Sequence, residues 1–383
     1  MTPSAVSYES HPCFGMTSRS RVGRLHLPVA PRANARIRFA AEAKALQAMQ
    51  PEEAANWLDG VIADGGKVGI VGITGPGDPM ATPGPTLRTL RLVRERHPDI
   101  SLCLTTVGMG ADRYAEELAA VGLSHVTLLV DAVDPGLAED LYAWIRPATR
   151  TVPLADAARL LVDGQAKAVA AFKAAGIPVK INTTIYPGHN DGHVEDVARA
   201  MAALGADIMA VVPFWPGRGG AEFPPTPDMD LLEDIRGRVA NHINVMPSWE
   251  ECAEALAGLE KRGGGVLPQP APGRPNVAVV SSSGMDVDLH LGQAAKVLVY
   301  GPREDGLACL LEAREAPEPG GGASRWLRLG ELLSDCFVLL AASAGPSPRE
   351  ILAGSGLAVL ITDGEIAPTV DVLCGGGKHT CKK

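Results

Sequence analysis

Thiols, imidazoles and one glycine-rich loop are the groups in this chain whose type and spacing could support chemistry. The chain has seven cysteines, and Cys13, Cys103 and Cys252 are widely separated. Deprotonated thiols are ligands for zinc and for iron–sulfur clusters. Residues 1–26 lack the apolar run of a signal peptide, so we expect the cysteines to be thiols, metal ligands or core residues rather than disulfides.

A second group of possible ligands lies near the end of the sequence. Cys374, His379 and Cys381 are separated largely by glycines. At this spacing two thiolates and an imidazole could close on one metal ion. A flexible tail with two unligated thiols explains the same residues equally well.

The glycine-rich loop is GPGDP, at residues 75–79. Gly75 and Gly77 have no Cβ and tolerate positive φ angles, so the backbone there could approach a ligand closely, with Asp78 beside it. A plain strand-to-helix turn would use the same residues.

Strand–loop–helix units recur on both sides of this loop. Right-handed crossovers between them predict an α/β fold with a parallel sheet curled toward a full or partial barrel. Ligands bind such folds at the carboxyl ends of the strands, where Thr106 and Asn182 lie in polar stretches. Asn182 and, further along the chain, His189, Asn190 and Asp191 could hold a metal or a substrate. Turn and N-cap chemistry is favoured for them. The strands are predicted at 25–30, 67–73, 101–105, 125–130, 179–184 and 208–212, and the helices at 40–63, 86–97, 112–121, 155–175 and 193–204.

A second α/β domain of about 100 residues is predicted after a linker rich in glycine and proline. His290 follows its first strand, and a neutral imidazole on such a loop could bind an iron–sulfur species. An ordinary surface histidine is the alternative, and Cys336 is predicted to be a core residue. The strands are predicted at 277–281, 295–300, 308–313, 336–341 and 358–361, with helices at 325–333 and from 348.

Composition argues against two classes of function. A net charge of −9 disfavours non-specific binding to nucleic acid, and no apolar run is long enough for a transmembrane helix. With 383 residues, 46% of them hydrophobic, the chain is long enough for two globular domains. We expect a cytoplasmic protein that contacts neither nucleic acid nor a membrane.

Residues 27–41, LPVAPRANARIRFAA, resemble the segment of NifB proteins that reads LPVAPACNIQCNYCN. NifB proteins are radical SAM enzymes of nitrogenase cofactor biosynthesis, and the three cysteines of this segment hold their SAM-cleaving [4Fe–4S] cluster. Here Ala33, Ile37 and Ala40 replace those cysteines, and neither alanine nor isoleucine has a ligand atom. The resemblance therefore implies a radical-SAM-type partial barrel without radical SAM activity.

Other NifB motifs are partly kept. The GPGDP loop matches the family segment that faces the methionine group of SAM, but Val107 after Thr106 replaces an amide side chain of the family. Loss of SAM binding is therefore favoured over its retention. Cys13, Cys103 and Cys252 match cysteines of an auxiliary iron–sulfur site, and the resemblance implies that they keep one cluster or cofactor precursor. A buried apolar role for Cys103 remains open.

The second domain resembles the NifX/NafY-type domain of many NifB proteins, which has a ribonuclease-H-like fold, and His290 matches its cofactor-binding position. We therefore predict five regions: an arm at 1–24, a barrel at 25–258, a linker at 259–275, a cofactor-binding domain at 276–370 and a Cys/His tail at 371–383.

The resemblance implies a protein that binds, carries or scaffolds an iron–sulfur precursor among nitrogenase cofactor assembly proteins. Two other functions remain open. An active maturase that fuses [4Fe–4S] clusters would need ligands from elsewhere, such as Cys374 and Cys381. A metal-free interaction or regulatory protein would keep only the family's shape.

Overall fold

The computed structural model describes residues 14, 23–39, 48–63, 68–147, 152–214, 223–246, 268–302, 308–318, 322–362 and 364–374. These residues form two α/β units, one around a seven-stranded sheet and one around a five-stranded sheet. A two-stranded ribbon accompanies the first sheet.

The strands of the first unit are β1 (Gly23–His26), β2 (Ala35–Ile37), β3 (Val68–Ile73), β4 (Ser101–Thr106), β5 (Leu123–Leu129), β6 (Tyr142–Ile145), β7 (Val179–Ile185), β8 (Ile208–Pro213) and β9 (Asn244–Val245). All except β2 and β6 belong to the large sheet, where they pair in parallel in the order of the chain. Strands β2 and β6 pair antiparallel as the ribbon.

Helices connect these strands, and several begin where the sequence favours it. Asp134 caps its helix by accepting from the backbone N–H of Leu137 at 2.8 Å. The next residue, Pro135, needs no hydrogen-bond partner for its nitrogen in the first turn. The helices are α1 (Pro51–Ala63), α2 (Pro83–Arg96), α3 (Ala115–Ala120), α4 (Pro135–Leu141), α5 (Leu154–Ala174), α6 (Val194–Ala203) and α7 (Met229–Ala240).

Alternation along the strands gives the first sheet two different faces. On one face, residues such as Leu102 and Leu104 pack against the helices in the largest apolar core. On the opposite face, Cys103 packs with Phe14 and with side chains of β3, β8 and the end of β9, and none of the described helices contributes to this cluster. We call this side of the sheet the inner face.

The second unit contains β10 (Asn276–Val279), β11 (Lys296–Pro302), β12 (Ala308–Glu315), β13 (Cys336–Ala341) and β14 (Ala358–Ile361). Its strand order is β12-β11-β10-β13-β14, with β11 antiparallel to both neighbours and β13 parallel to both of its own. This is the order expected of a ribonuclease-H-like sheet. Its helices are α8 (Ala323–Leu332), α9 (Pro346–Gly354) and α10 (Ile366–Leu373).

The two faces of this sheet are covered by different helices. Leu329 of α8 and Leu352 of α9 pack on one face, while Ile366 and Val370 of α10 pack on the other. The predicted fold class, an α/β partial barrel followed by a small α/β domain, is confirmed.

Gly284 marks a close contact between the two units. A Cβ at this position would lie 2.9 Å from the side chain of Leu25 in β1 and 3.6 Å from Trp57 in α1. Only the missing side chain allows this approach. The second unit therefore packs against the β1 and α1 side of the first.

Several predictions for individual strands and helices were wrong. The first strand ends at His26 rather than at residue 30, and residues 48–50 are not helical, so within the described part α1 begins at Pro51. The ribbon strands and helices α4, α7 and α10 were not predicted at all. The ribbon strands have three or four residues, too few for a periodic pattern to identify them.

None of the described helices is both long enough and apolar enough to cross a membrane.

Candidate functional site

The residues predicted from sequence fall into three places. Four lie together at the ends of β3 and β4: Gly75, Gly77 and Asp78 are in the loop after β3, and Thr106 is the last residue of β4. Two lie within strands of the first sheet: Cys103 and Asn182. His290 lies in the second unit, and Cys13 and Cys252 lie outside the described residues.

The glycine loop is pressed against the segment that precedes β2. Gly77 donates its N–H to the carbonyl of Ala30 at 2.7 Å, and Asp78 donates its N–H to the carbonyl of Arg32 at 2.8 Å. A Cβ at Gly77 would lie only 2.3 Å from the carbonyl carbon and oxygen of Arg32. Glycine is therefore required here because backbone meets backbone, and no ligand is needed to explain it.

Asp78 connects the glycine loop to the end of β4. One carboxylate oxygen accepts from the N–H of Met80 at 2.8 Å and the hydroxyl of Thr106 at 2.7 Å, and the other accepts from the N–H of Val107 at 2.6 Å. Burial raises the pKa of Asp78, against the opposing effect of these hydrogen bonds. Both oxygens are used by the chain's own donors, so Asp78 and Thr106 order the loops in this conformation.

The segment in which the three family cysteines are replaced contributes strand β2 to the ribbon. Ile37 of β2 pairs with Tyr142 of β6, and Arg36 pairs with Trp144. Ala33 is exposed, whereas the side chain of Ile37 is only 2% exposed. Ala40 lies outside the described residues.

Ile37 belongs to an apolar cluster that includes Val107, Tyr186 and Phe214. Phe39 joins it, with its ring centroid 5.5 Å from that of Tyr186 and 6.1 Å from that of Phe214. A radical-type [4Fe–4S] cluster needs three thiolates, and this segment offers hydrocarbon in their place. The described residues do not fit that cluster, and we assign no chemical step through it or through SAM.

A different arrangement surrounds Gly72 on the inner face. A Cβ there would lie 2.9 Å from Sγ of Cys103, 2.9 Å from Cδ2 of His26 and 3.3 Å from Nε2 of His26. The missing side chain lets a thiol from β4 and an imidazole from β1 lie close to the backbone of Gly72. Both groups are ligands for iron. We call this group of residues, Gly72, Cys103 and His26, the Gly72 cradle.

Two aromatic residues extend the surroundings of the Gly72 cradle. His125 of β5 pairs in register with Cys103 of β4. The ring of Phe14 meets that of His125 edge-on at 4.8 Å. Phe14 is the chain neighbour of Cys13, which itself lies outside the described residues.

His26 was missed from the sequence. It is the last residue of β1 and directly precedes the LPVAP stretch, which was the one available signal. Within the described part of the chain, no three His, Cys, Asp or Glu side chains are grouped to hold a metal ion. Ligands beyond His26 and Cys103 would have to come from segments outside it.

The polar cluster after β7 is explained by turn chemistry, the favoured interpretation. Asn190 accepts from the N–H of Tyr186 at 2.7 Å and donates to the carbonyls of Asp131 and Thr184 at 3.0 and 2.8 Å. Asp191 accepts from the N–H of Gly188 at 2.9 Å. Asn182 is buried in β7, at a distance along the strand from this turn.

His290 is exposed and begins the short 3-10 turn Leu291–Gln293. Its Nδ1 accepts a hydrogen bond from the N–H of Gly292 at 2.9 Å. The structure therefore places this histidine on a folded turn of the second unit, separate from the Gly72 cradle.

Two cysteines of the second unit lie in its core. Cys336 is buried in β13, as predicted. Cys374 was assigned to a tail, but it directly follows α10 and is only 3% exposed. Burial raises the pKa of the Cys374 thiol, which opposes the thiolate form that metals require. His379 and Cys381 lie outside the described residues.

Comparison with known proteins agrees with this architecture. The model of the radical SAM superfamily matches residues 38–201, beginning just after Ile37. The FeMo cofactor biosynthesis protein NifB of Chlorobaculum tepidum is 36% identical, over 95% of this chain and 92% of the relative. The NifB proteins of Klebsiella pneumoniae and Methanocaldococcus jannaschii are each 29% identical, over 95% and 66% of this chain and 89% and 86% of their own lengths. This chain belongs to the NifB family of the radical SAM superfamily.

Proposed function

We propose that this chain takes part in nitrogenase cofactor biosynthesis by binding an iron–sulfur cofactor precursor, and that it does so without cleaving SAM. The biosynthetic role is supported by the relatives, which are named FeMo cofactor biosynthesis proteins and match nearly the whole chain. The finer role, as a scaffold or carrier for other assembly proteins, is supported by the chemistry of the first unit.

One observation carries the proposal: ligand-bearing side chains are kept in one place and replaced by hydrocarbon in another. Ile37 is packed into an apolar cluster where the family holds its radical cluster. Cys103 and His26 still lie side by side at Gly72, which has no side chain of its own. A thiol and an imidazole in this position are a pair of donors for iron.

The proposed cluster ligands are Cys103 and His26, together with Cys13 and Cys252. Cys103 would supply a thiolate and His26 a neutral imidazole nitrogen. Cys13 is included because Phe14, its neighbour in the chain, packs on His125 beside Cys103. Cys252 is included on the family resemblance alone.

The bound cluster would be an anionic iron–sulfur unit. The residues of the inner face would bind it and exclude water from it. The inner face suits this task because Ile70, Val212 and Met246 line it with apolar side chains. His290 of the second unit is proposed as a further contact for the precursor.

Iron and sulfide content with EPR on anaerobically reconstituted protein tests the proposal. We expect about four irons per chain in the wild type, the content of one [4Fe–4S] cluster. The Cys13/Cys103/Cys252→Ala variant should lose this iron, and so should His26→Ala. Cys336→Ala, which removes a buried thiol of the second unit, is the matched control and should keep it.

Other results would select other functions. Iron-free protein in every case would contradict metal binding and leave a protein that docks to assembly partners. Formation of 5′-deoxyadenosine from SAM under reducing conditions would contradict the absence of radical chemistry.

A further inference from the structure

One side of the ribbon formed by β2 and β6 carries arginines and a tryptophan. Along β2 the buried Ile37 is followed by the exposed Arg38 and preceded by the partly exposed Arg36. Trp144 of β6 pairs in register with Arg36, and the guanidinium carbon of Arg146 lies over the Trp144 ring, 4.5 Å from its centroid. Because paired residues of two strands share a side of the sheet, these side chains form one surface. We call Arg36, Arg38, Trp144 and Arg146 the ribbon face.

Most of this positive charge has no acidic neighbour. Among the described residues, no carboxylate forms an ion pair with Arg38, with Arg146 or with the exposed Arg32 just before β2, and Arg38 donates instead to the carbonyl of Glu139 at 3.5 Å. Other exposed arginines of the first unit do pair with carboxylates, at 2.7–3.0 Å: Arg88 with Glu52, Arg159 with Asp156 and Arg199 with Asp196. In a chain of net charge −9, the ribbon face therefore concentrates positive charge that can meet carboxylates of another molecule.

This charge is a feature of this chain rather than of the family's cluster site. Its segment, LPVAPRANARIRFAA, has arginines at 32, 36 and 38, whereas the family segment LPVAPACNIQCNYCN has none. The positions between and beside the replaced cysteines have thus become basic, and a lost radical cluster does not account for that.

A small cavity adjoins the ribbon face. Its volume is about 200 Å³, and it is lined by residues 143–146 together with Val152 and Leu154. Successive residues of a strand point to opposite sides, so a cavity lined by four in a row lies along the outer edge of β6. Within the described part of the chain β6 pairs with β2 alone, and such an edge can take an extended chain beside it. The volume is below the roughly 300–1,000 Å³ of small-molecule sites and suits a single apolar side chain.

We propose that the ribbon face is a docking surface for an extended acidic segment of a partner protein. Carboxylates of the segment pair with Arg38 and Arg146, and one of its apolar side chains enters the cavity beside Trp144. Tryptophan and arginine are the residue types that most often dominate the binding energy of interfaces. The chemistry of the segment follows from the ribbon alone, whereas the assignment of the partner to cofactor assembly rests on the proposed function.

The charge is tested by fluorescence anisotropy of the full chain with a short labelled peptide of alternating Glu and Val. We expect the wild type to bind it, and to bind a Gln–Val peptide much more weakly. Arg32/Arg38/Arg146→Gln should weaken binding about tenfold, the combined size of three exposed ion pairs. The matched control, Arg88/Arg159/Arg199→Gln, removes the same charge from arginines that are already paired and should bind within about twofold of the wild type.

The cavity is tested with the same assay. Trp144→Ala should weaken binding of the Glu–Val peptide about tenfold, as expected for a central aromatic contact, whereas Trp144→Phe keeps a ring and should stay within about threefold. A Glu–Gly peptide keeps the charge without the apolar side chain and should bind the wild type about tenfold more weakly. Every variant should keep the wild-type iron content after reconstitution, because the ribbon face is separate from the Gly72 cradle.

Several results would overturn the inference. They are equal binding by the two arginine triple variants, equal binding of the Glu–Val and Gln–Val peptides, or no saturable binding to the wild type up to about 1 mM peptide. Displacement of the peptide by inorganic phosphate at constant ionic strength would make the occupant a small anion. Tighter binding of a single-stranded oligonucleotide would make it nucleic acid, and a dimer in sedimentation that is lost in Arg32/Arg38/Arg146→Gln would make it a second copy of the chain.

Two further outcomes keep the test decisive. If the arginine triple variant unfolds by circular dichroism, Arg38→Gln and Arg146→Gln are measured singly, and unchanged peptide binding in both would contradict the docking surface. Wild-type protein that binds the Glu–Val peptide but takes up no iron would contradict the proposed function and leave the docking surface in place.

Discussion

The β2 segment and the Gly72 cradle lie in the same unit of the protein, yet their side chains have opposite character. In the segment, Ile37 is buried among aromatic and aliphatic residues and pairs with β6. In the cradle, Cys103 and His26 face a position where a Cβ is missing. The difference teaches that the residues replacing the cysteines of the segment are used in packing, whereas a thiol and an imidazole lie side by side in the cradle.

The largest effect is expected where the segment meets the glycine loop. Gly77→Ala would place a Cβ 2.3 Å from the backbone of Arg32, and backbone cannot move aside as a side chain can. We expect a loss of more than about 3 kcal/mol in the free energy of unfolding, measured by urea denaturation. Gly60→Ala in α1, where a Cβ would meet nothing within 4 Å, is the control and should stabilise slightly. An equal change in the free energy of unfolding in the two variants would show that the glycine loop and the segment before β2 are not in close contact.

Ile37→Ala tests whether the replaced ligand position has become part of the core. Removing a nearly fully buried isoleucine should destabilise the protein by about 3 kcal/mol, from lost burial and the cavity left behind. Ala33→Ser, at the exposed replacement, should change stability by less than about 0.5 kcal/mol. Neither variant should lose iron after reconstitution. Iron loss in Ile37→Ala without unfolding would mean that the two regions are not independent.

Gly72→Ala tests whether the cradle binds the cluster. The added Cβ would come within 2.9 Å of both Cys103 and His26, and these side chains must turn away to accept it. We expect most of the reconstituted iron to be lost, at a cost in stability of about 1 kcal/mol because only side chains shift. Gly84→Ala in α2, which has open space around it, should keep its iron. Full iron content in Gly72→Ala would place the cluster elsewhere.

The smallest effect is expected from restoring the missing ligands. The Ala33/Ile37/Ala40→Cys variant supplies three thiols, but the β2 pairing with β6, the aromatic cluster around Phe39 and the Val107 substitution all remain. We expect no 5′-deoxyadenosine from SAM under reducing conditions. Its appearance would show that ligand loss alone separates this chain from a radical SAM enzyme.

Much of the fold could be predicted from sequence because its signals are local. The apolar runs gave the central strands, and Cys336–Ala341 and Ala358–Ile361 were predicted with the bounds that the structure has. The ribbon was missed because β2 and β6 are short and are stabilised by each other across about 100 residues. The tail assignment of Cys374 failed because α10 contains a proline and lacks a clear polar face, so its burial was not visible in the pattern.

The candidate site was predicted only in part. Cys103 and His290 were identified through family resemblance. The structure places Cys103 in β4 beside His26 and His290 on an exposed turn of the second unit. His26 was missed because its position before the LPVAP stretch does not show where its side chain lies, and only pairing of β1 with β3 brings it beside Gly72 and Cys103. Asp78 was predicted to lie beside a bound ligand. Its hydrogen bonds to Thr106 and Val107 show that it orders two loops of the chain.

By itself, the sequence determined the α/β alternation, the two units and the absence of thiols at residues 33, 37 and 40, since residue type and periodicity are properties of the chain alone. Only the tertiary structure decided that Ile37 fills a core and that His26 and Cys103 lie side by side at Gly72. The physical reason is the same in both cases. These properties depend on distances between residues far apart in the chain, and only the packing of strands and helices sets those distances.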